Sequence, residues 1–169
     1  EGFASYGFPE SHSASFALLT YASAWLKHHF APEFTAAILN AQPMGFYSPA
    51  TLISDAQRHG VVIRPIDLLY SRWESTLEYD VHPPALRVGL RMVRVLSTQA
   101  RKKLETVTMN ASLSTLDGLV FHSPVDDHTL TILARAGAFR SMWPGRRDAL
   151  WNLLARLKER HASLPLRNG

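Results

Sequence analysis

After Pro9 the apolar positions recur at helical spacing. Ala14, Ala17, Leu18, Tyr21, Ala22, Trp25 and Leu26 mark one wide face of a long helix. Pro9 suits its first turn, and Ser11 or Ser13 can cap its start. Pro32 opens a shorter helix, Glu33 to Asn40, with Phe34, Ala37, Ile38 and Ala41 inward, which ends at Gln42-Pro43-Met44-Gly45. The third helix carries the clearest boundary signals: Ser48 as cap, Pro49 in the first position and Gly60 as closing glycine. Val61 to Arg64, stopped by Pro65, reads as a short strand, and Leu86 to Leu90 as a second. Residues 70–84 show no clear period, and His82-Pro83-Pro84 looks like a boundary.

From residue 90 the pattern changes to short helices on tight turns. Leu90, Val93, Leu96, Ala100 and Leu104 form one stripe, with a break near Val95-Leu96 and Ser97 as N-cap. Leu113 to Phe121 predicts a short helix. Val125 to Arg135 predicts another, with Asp126 and Asp127 in its first turn, where the helix dipole favours them. Ala136-Gly137-Ala138 is a sharp hairpin. Gly145 to His161 makes the last helix, with Leu150, Leu153, Leu154 and Leu157 inward and Arg146, Arg147, Arg156, Lys158 and Arg160 outward. The fold class is therefore mainly α, with a minor two- or three-stranded element at a junction.

The 169 residues suffice for one or two small domains, and 46% apolar with 19% charged residues places them among folded proteins. Without cysteine there is no disulfide and no thiolate metal site, which fits a reducing cytosol. No basic leader opens the chain, and Lys27, His28 and His29 interrupt the best apolar run, so neither a signal peptide nor a membrane span is expected. The chain starts without methionine, inside a motif, as a piece of something longer would. Its charge is uneven. Residues 1–84 hold 4 Lys+Arg against 8 Asp+Glu, a net of −4, and residues 85–169 hold 14 against 6, a net of +8. An arginine-rich half suits phosphate, because the guanidinium fork meets its oxygens in pairs; a solvated basic surface is the plainer reading.

Candidate chemistry is sparse. His28 and His29 are neighbours on a helix, about 100° apart, and cannot easily share an ion. His122 and His128 flank Asp126 and Asp127, but an acidic helix start explains those carboxylates without a metal. No nucleophile elbow, phosphate-binding glycine loop, His-Glu-x-x-His or Asp-x-Asp pair occurs, so the chain alone lacks the carboxylates of two-metal phosphoryl transfer. His12, in the first turn of a helix, would meet the positive end of the dipole and unpaired backbone N–H groups, a natural anion site. A polar capping residue with no ligand is an equally good reading of it.

The stretch YGFPESHSASFALLTYASAWLKHHFAPEFTAAILN resembles the end of the fingers domain of the bacterial DNA polymerase III alpha family. The following QPMGFYSPATLISDAQRHGVVIRPIDLLYSRW is similar to its error-prone, DnaE-like branch, and ALRVGLRMVRVLS, LARAGAF and GRRDALW to its helix–hairpin–helix region. The resemblance implies that residues 1–75 end the fingers and residues 76–169 form the helix–hairpin–helix part. It implies that Tyr6, Ser11 and His12 contact an incoming nucleotide, Tyr6 near base or sugar and His12 near the triphosphate. Lys27, about four turns from His12, is left structural.

In the hairpins a glycine lets backbone N–H groups approach a DNA phosphate, with basic side chains beside it. The second hairpin keeps Gly137 between Arg135 and Arg140, with Arg146 and Arg147 beyond. In the first, Val95 follows Arg94 where the family has glycine. A β-branched residue does not readily take positive φ, so contacts there are expected from the side chains of Arg91, Arg94, Arg101, Lys102 and Lys103. The implied role is part of an error-prone, translesion DNA polymerase that grips duplex DNA without sequence preference. The implied partners are template–primer DNA, a nucleotide triphosphate, and further the sliding clamp and mutagenesis accessory proteins. Magnesium is implied for the intact enzyme and no cofactor for this segment, which lacks the palm aspartates and would not join nucleotides alone. The alternative is a protein-interaction or scaffolding module of a mutagenesis complex.

Overall fold

The computed structural model describes residues 10–108 and 115–163. It is mainly helical with one small sheet, as the residue pattern predicts. The chain gathers into two compact units, Glu1–Val61 and Val62–Gly169. That division falls earlier than the boundary drawn at residue 75, because the first strand pairs within the second unit.

The first unit holds α1 (Glu10–His29), α2 (Ala31–Asn40) and α3 (Pro49–Arg58). Ser11 and Ser13 lie within α1, so neither caps it. Its apolar side chains are exposed: Leu18, Tyr21, Trp25 and Leu26 on the predicted face, and Phe16 and Leu19 elsewhere around the helix. On α2 the buried side is Pro32, Thr35, Ala36 and Leu39. Phe34, Ala37, Ile38 and Ala41 were expected inward, but Ala37 and Ala41 are exposed and the other two only half-buried. The Thr35 hydroxyl is satisfied inside the helix by the Ala31 carbonyl (2.7 Å), which lets a polar residue take the buried face. α3 begins as its sequence predicts, with the Thr51 N–H donating to the Ser48 hydroxyl at 3.2 Å. Gly60 ends it at φ +83°, a conformation open to glycine. Lys27 pairs with Asp55 at 2.7 Å, tying α1 to α3 in a structural role.

The second unit opens on a sheet of β1 (Ile63–Arg64), β2 (Thr76–Glu78) and β3 (Ala85–Arg87), in the order β1-β3-β2. β1 runs parallel to β3 and β2 antiparallel, with Leu86 between Ile63 and Leu77. β2 falls in the stretch where the sequence showed no period, since its three half-buried residues are too few to display one. The predicted strand from 86 to 90 stops at Arg87, and residues 90–92 turn into a short 3₁₀ helix. One charged cluster edges the sheet: Glu78 accepts from Arg87 (2.8 Å) and pairs with Arg64, which also reaches Asp80 at 2.5 Å. Gly89 admits the chain of residues 73–75 against it, because a Cβ there would lie 2.4 Å from the backbone carbon of Glu74.

Beyond the sheet come α4 (Thr98–Thr108), a π-helical turn at Gly118–His122, α5 (Asp127–Ala136) and α6 (Arg146–Ser163). The first residues of the helix predicted from Leu113 lie outside the described residues. Ser97 caps α4 through the Ala100 N–H at 3.1 Å. Asp126 is the N-cap of α5 rather than a first-turn residue, accepting from the Thr129 N–H at 2.9 Å. That bond is the main cause holding its carboxyl below the usual range. Leu90, Leu104, Leu119, Leu130, Leu133, Phe139 and Leu153 fill one core. On α6, Leu153 and Leu157 are buried as predicted, but Leu154 is exposed and Leu150 half-buried. Arg160 was expected to face outward. It is largely covered, paired with Asp127 and donating to the Val120 carbonyl at 2.7 Å.

Asp67 is 3% exposed and joins distant segments. One carboxylate oxygen accepts from the Leu69 N–H (3.0 Å), the other from the Ser141 N–H (2.9 Å) and hydroxyl (2.5 Å). Beside it the Leu68 N–H donates to the Ala138 carbonyl at 2.7 Å. Replacing Asp67 by Ala would remove three partly buried hydrogen bonds, and urea denaturation should show a loss of about 2 kcal/mol; an unchanged midpoint would refute the assignment. Arg87, then burial opposing it, then Arg64 set the Glu78 carboxyl, with a net shift below the ordinary glutamate value. A depressed carboxyl stabilises above its unfolded-state pKa and ceases to as pH falls through its folded value. Acid titration of Glu78→Gln should therefore lose part of the wild-type destabilisation below about pH 4, while matching curves would contradict this.

Candidate nucleic-acid interface

Two hairpins carry the basic residues of the second unit. In the second, α5 ends at Ala136 and Gly137 takes φ +80°. The N–H groups of Gly137 and Ala138 turn back to the carbonyls of Ala134 (3.0 Å) and Leu133 (2.9 Å). These bonds close the helix and leave both groups unavailable to a ligand. The next two N–H groups, of Phe139 and Arg140, have no acceptor among the described residues. The Arg146 guanidinium lies over Gly137, its Nε 3.3 Å from where a Cβ would stand. Gly137, Arg140, Trp143 and Arg146 thus line one small cleft against the start of α6.

The first hairpin joins residues 90–92 to α4 through Val93–Ser97. Val95 has φ +73°, the one positive value among described non-glycine residues, and is 79% exposed. Valine was not expected to take this conformation. It does, so the turn forms without glycine at a cost of about 1–2 kcal/mol in steric strain.

The structure treats the predicted DNA-contacting residues unequally. Arg101 pairs with Glu105 (2.8 Å) and lies over the Trp73 ring. Lys103 reaches Asp126 at 3.4 Å, and Arg91 is 3.9 Å from Glu74. Arg94, Lys102, Arg135, Arg140, Arg146 and Arg147 are exposed, with no acid in ion-pair reach among the described residues. Arg146 and Arg147 stand in the first turn of α6, where the helix dipole disfavours cations and an anion would relieve them. Asp148 shares that turn and offsets part of the charge.

Of the predicted nucleotide contacts, Tyr6 lies outside the described residues, and Ser11 falls in the first turn of α1. His12 is exposed, its ring edge-on to Phe16 at 4.4 Å. Among the described residues no three His, Asp or Glu side chains come together to hold a metal, and no helix is long and apolar enough to cross a membrane. The roles of Asp67 and Gly89 were missed from sequence. A lone acid among apolar neighbours in Ile66-Asp67-Leu68 was the only signal for the first.

Paired helices joined by glycine-type hairpins define the class. Residues 60–149 match the family model described as "Helix-hairpin-helix motif", and the chain belongs to that family. The likeness to the error-prone branch of bacterial DNA polymerases is borne out by curated relatives named error-prone DNA polymerase. That of Burkholderia pseudomallei is 45% identical over 166 residues, covering 95% of this chain and 16% of its own length. That of Pseudomonas paraeruginosa is 42% identical, covering 98% and 18%, and that of Alkalilimnicola ehrlichii 47% identical, covering 91% and 15%. The chain spans less than a fifth of the length of these relatives.

Val95→Gly removes the strain and little packing, offset in part by the larger backbone entropy of glycine in the unfolded chain. Thermal or urea unfolding should register a net gain of about 0.5–1 kcal/mol. A lower stability would mean that the positive φ is unstrained.

Proposed function

We propose that this chain is the duplex-gripping segment of an error-prone DNA polymerase. One observation carries the reading: the cleft where Gly137, Arg140 and Arg146 meet the N-terminus of α6. Two cations and a helix N-terminus meet there, beside the Phe139 and Arg140 N–H groups that have no acceptor among the described residues, the ingredients of a phosphate site. Arg94 and Lys102 flank the strained turn of the first hairpin and supply side-chain contacts to a neighbouring phosphate. None of these groups reads a base edge in this role, so the grip is indifferent to sequence.

At the other end of the chain, Tyr6, Ser11 and His12 contribute contacts to the incoming nucleotide in the whole enzyme. That enzyme joins nucleotides in the cytoplasm by magnesium-dependent phosphoryl transfer, on carboxylates that this segment does not supply. The segment alone is inactive. The bare apolar face of α1 favours a protein contact, which also suits the scaffolding alternative. In a chain covering under a fifth of its relatives, the remainder of such a polymerase is the simpler cover for it. The sliding clamp and accessory proteins would bind elsewhere on the whole enzyme.

The test is the salt dependence of duplex binding. Log affinity should fall linearly with log salt, and should not vary with sequence. Arg140→Ala combined with Arg146→Ala should reduce the slope by about one for each phosphate left without its arginine. A flat dependence in the parent chain would sink the reading, and an unaltered slope in the variant would remove these two arginines from it.

A further inference from the structure

A second feature lies beside α4. Residues 69–76 and α4 enclose an open groove of about 770 Å³, lined by Tyr70, Arg72, Trp73, Glu74, Arg101 and Glu105. Two aromatic rings in it each carry a guanidinium, Arg87 over Tyr70 and Arg101 over Trp73, both at 5.4 Å. Tyr70 is 61% exposed, so much of its ring is open to solvent. Arg72 is exposed and has no acid within ion-pair reach among the described residues.

The floor of this groove is rigid. The Leu90 and Arg91 N–H groups donate to the carbonyls of Arg72 (2.9 Å) and Trp73 (3.0 Å). The Gly89 N–H donates to the Ser75 hydroxyl at 3.1 Å, and a Cβ on Gly89 would collide with the Glu74 backbone. Trp73 is further packed against the core. A groove wall pinned this way loses little entropy on meeting a partner.

Electrostatics decides which partner. Glu105 neutralises Arg101 (2.8 Å), and Glu74 faces Arg91, so the groove is no continuous phosphate track. Trp73 is covered by Arg101 and the core, so the ring open to solvent is that of Tyr70, with the exposed Arg72 at its side. That combination takes an unpaired nucleobase, stacking it on an aromatic face while an arginine meets the adjoining phosphate. Paired bases could not enter, because their faces are already stacked on one another. The groove also adjoins the first hairpin, since Arg101 is on α4 and residues 89–91 lead directly into the Val93–Ser97 turn.

We propose that this groove binds single-stranded DNA, receiving an unpaired base on Tyr70, with Arg72 on the adjoining phosphate and Trp73 as part of the groove's rigid wall. The site is the unpaired continuation of the duplex grip and rests on that reading for its setting.

The experiment compares three probes on the chain: a blunt duplex, the same duplex with a single-stranded oligo-dT tail, and free oligo-dT. The tail should raise affinity, and Tyr70→Ala should abolish about tenfold of binding to the tailed duplex, the size of one missing base stack. Arg72→Ala should weaken tailed binding and lower its salt slope by less than one. Neither variant should change binding of the blunt duplex. A tail that adds nothing, or adds equally in Tyr70→Ala, overturns the proposal even where the blunt duplex binds well. Conversely, free oligo-dT that binds the parent chain and fails to bind Tyr70→Ala upholds the groove even where the blunt duplex fails to bind. Tyr70 lies largely outside the core, so its removal should not unfold the chain, and an unchanged thermal midpoint verifies that.

Discussion

The second hairpin holds its place because a carboxylate is buried beneath it. Removing an ionised Asp from water costs several kcal/mol unless its oxygens are satisfied. Here Leu69 and Ser141 satisfy them, with the Ser141 partner 74 residues away along the chain. The dependence is one-sided: the buried acid would be stranded without its donors, whereas Leu69 and Ser141 lie closer to solvent. The turn at Gly137–Ser141 is thereby fixed to the segment that follows β1. The Leu68-to-Ala138 bond adds a backbone tie at the same point, and Ser71 extends it to the Val88 carbonyl at 2.8 Å. The phosphate site proposed on that turn would inherit this rigidity, since its backbone need not be ordered at the moment of binding.

The two hairpins solve one backbone problem with different residues. Each needs a left-handed position to reverse the chain. Gly137 occupies it without strain and leaves the space above it to Arg146. Val95 occupies it with strain, and its side chain stands in solvent where a ligand would have to approach. The asymmetry divides the labour. In the proposed grip, close backbone contact would belong to the second hairpin, and long side chains would serve the first. Strain of this kind persists only where surrounding structure enforces it. Here the enforcement is local and visible, with Arg91 bonded to Trp73 on one side and Ser97 capping α4 on the other.

The sequence was most legible where local chemistry decides. Ser48 and Ser97 as caps, Gly60 and Gly137 as helix ends, and Leu153 and Leu157 as core need only their neighbours to be read correctly. It was least legible where distant segments decide. The buried side of α2 followed its packing rather than the bulk of Phe34 and Ile38. β2 is three residues long and acquires its identity from pairing with β3. Arg160 reads as surface because its partners, Asp127 and the Val120 carbonyl, are tens of residues upstream. Of the site, the glycine hairpin and its arginines were visible in LARAGAF and GRRDALW. The pairing of Arg101 and Lys103 was not, because nothing local distinguishes a tied cation from a free one.

That distinction turns a formal charge into a functional one. The second half of the chain is strongly basic, yet several of its cations are internal ties: Arg87 to Glu78, Lys103 to Asp126, Arg156 to Asp117 and Arg160 to Asp127. These acids lie on other elements, so the ties fasten one piece of secondary structure to the next. Among the described residues, the cations without such partners include five at or beside the chain reversals, Arg94, Arg135, Arg140, Arg146 and Arg147, and Lys102 and Lys158 on the sides of helices. A helix start that leaves two arginines unpaired sacrifices stability in the free protein. The sacrifice makes physical sense if an external anion completes the site, because the same repulsion that weakens the free turn strengthens its hold on a phosphate.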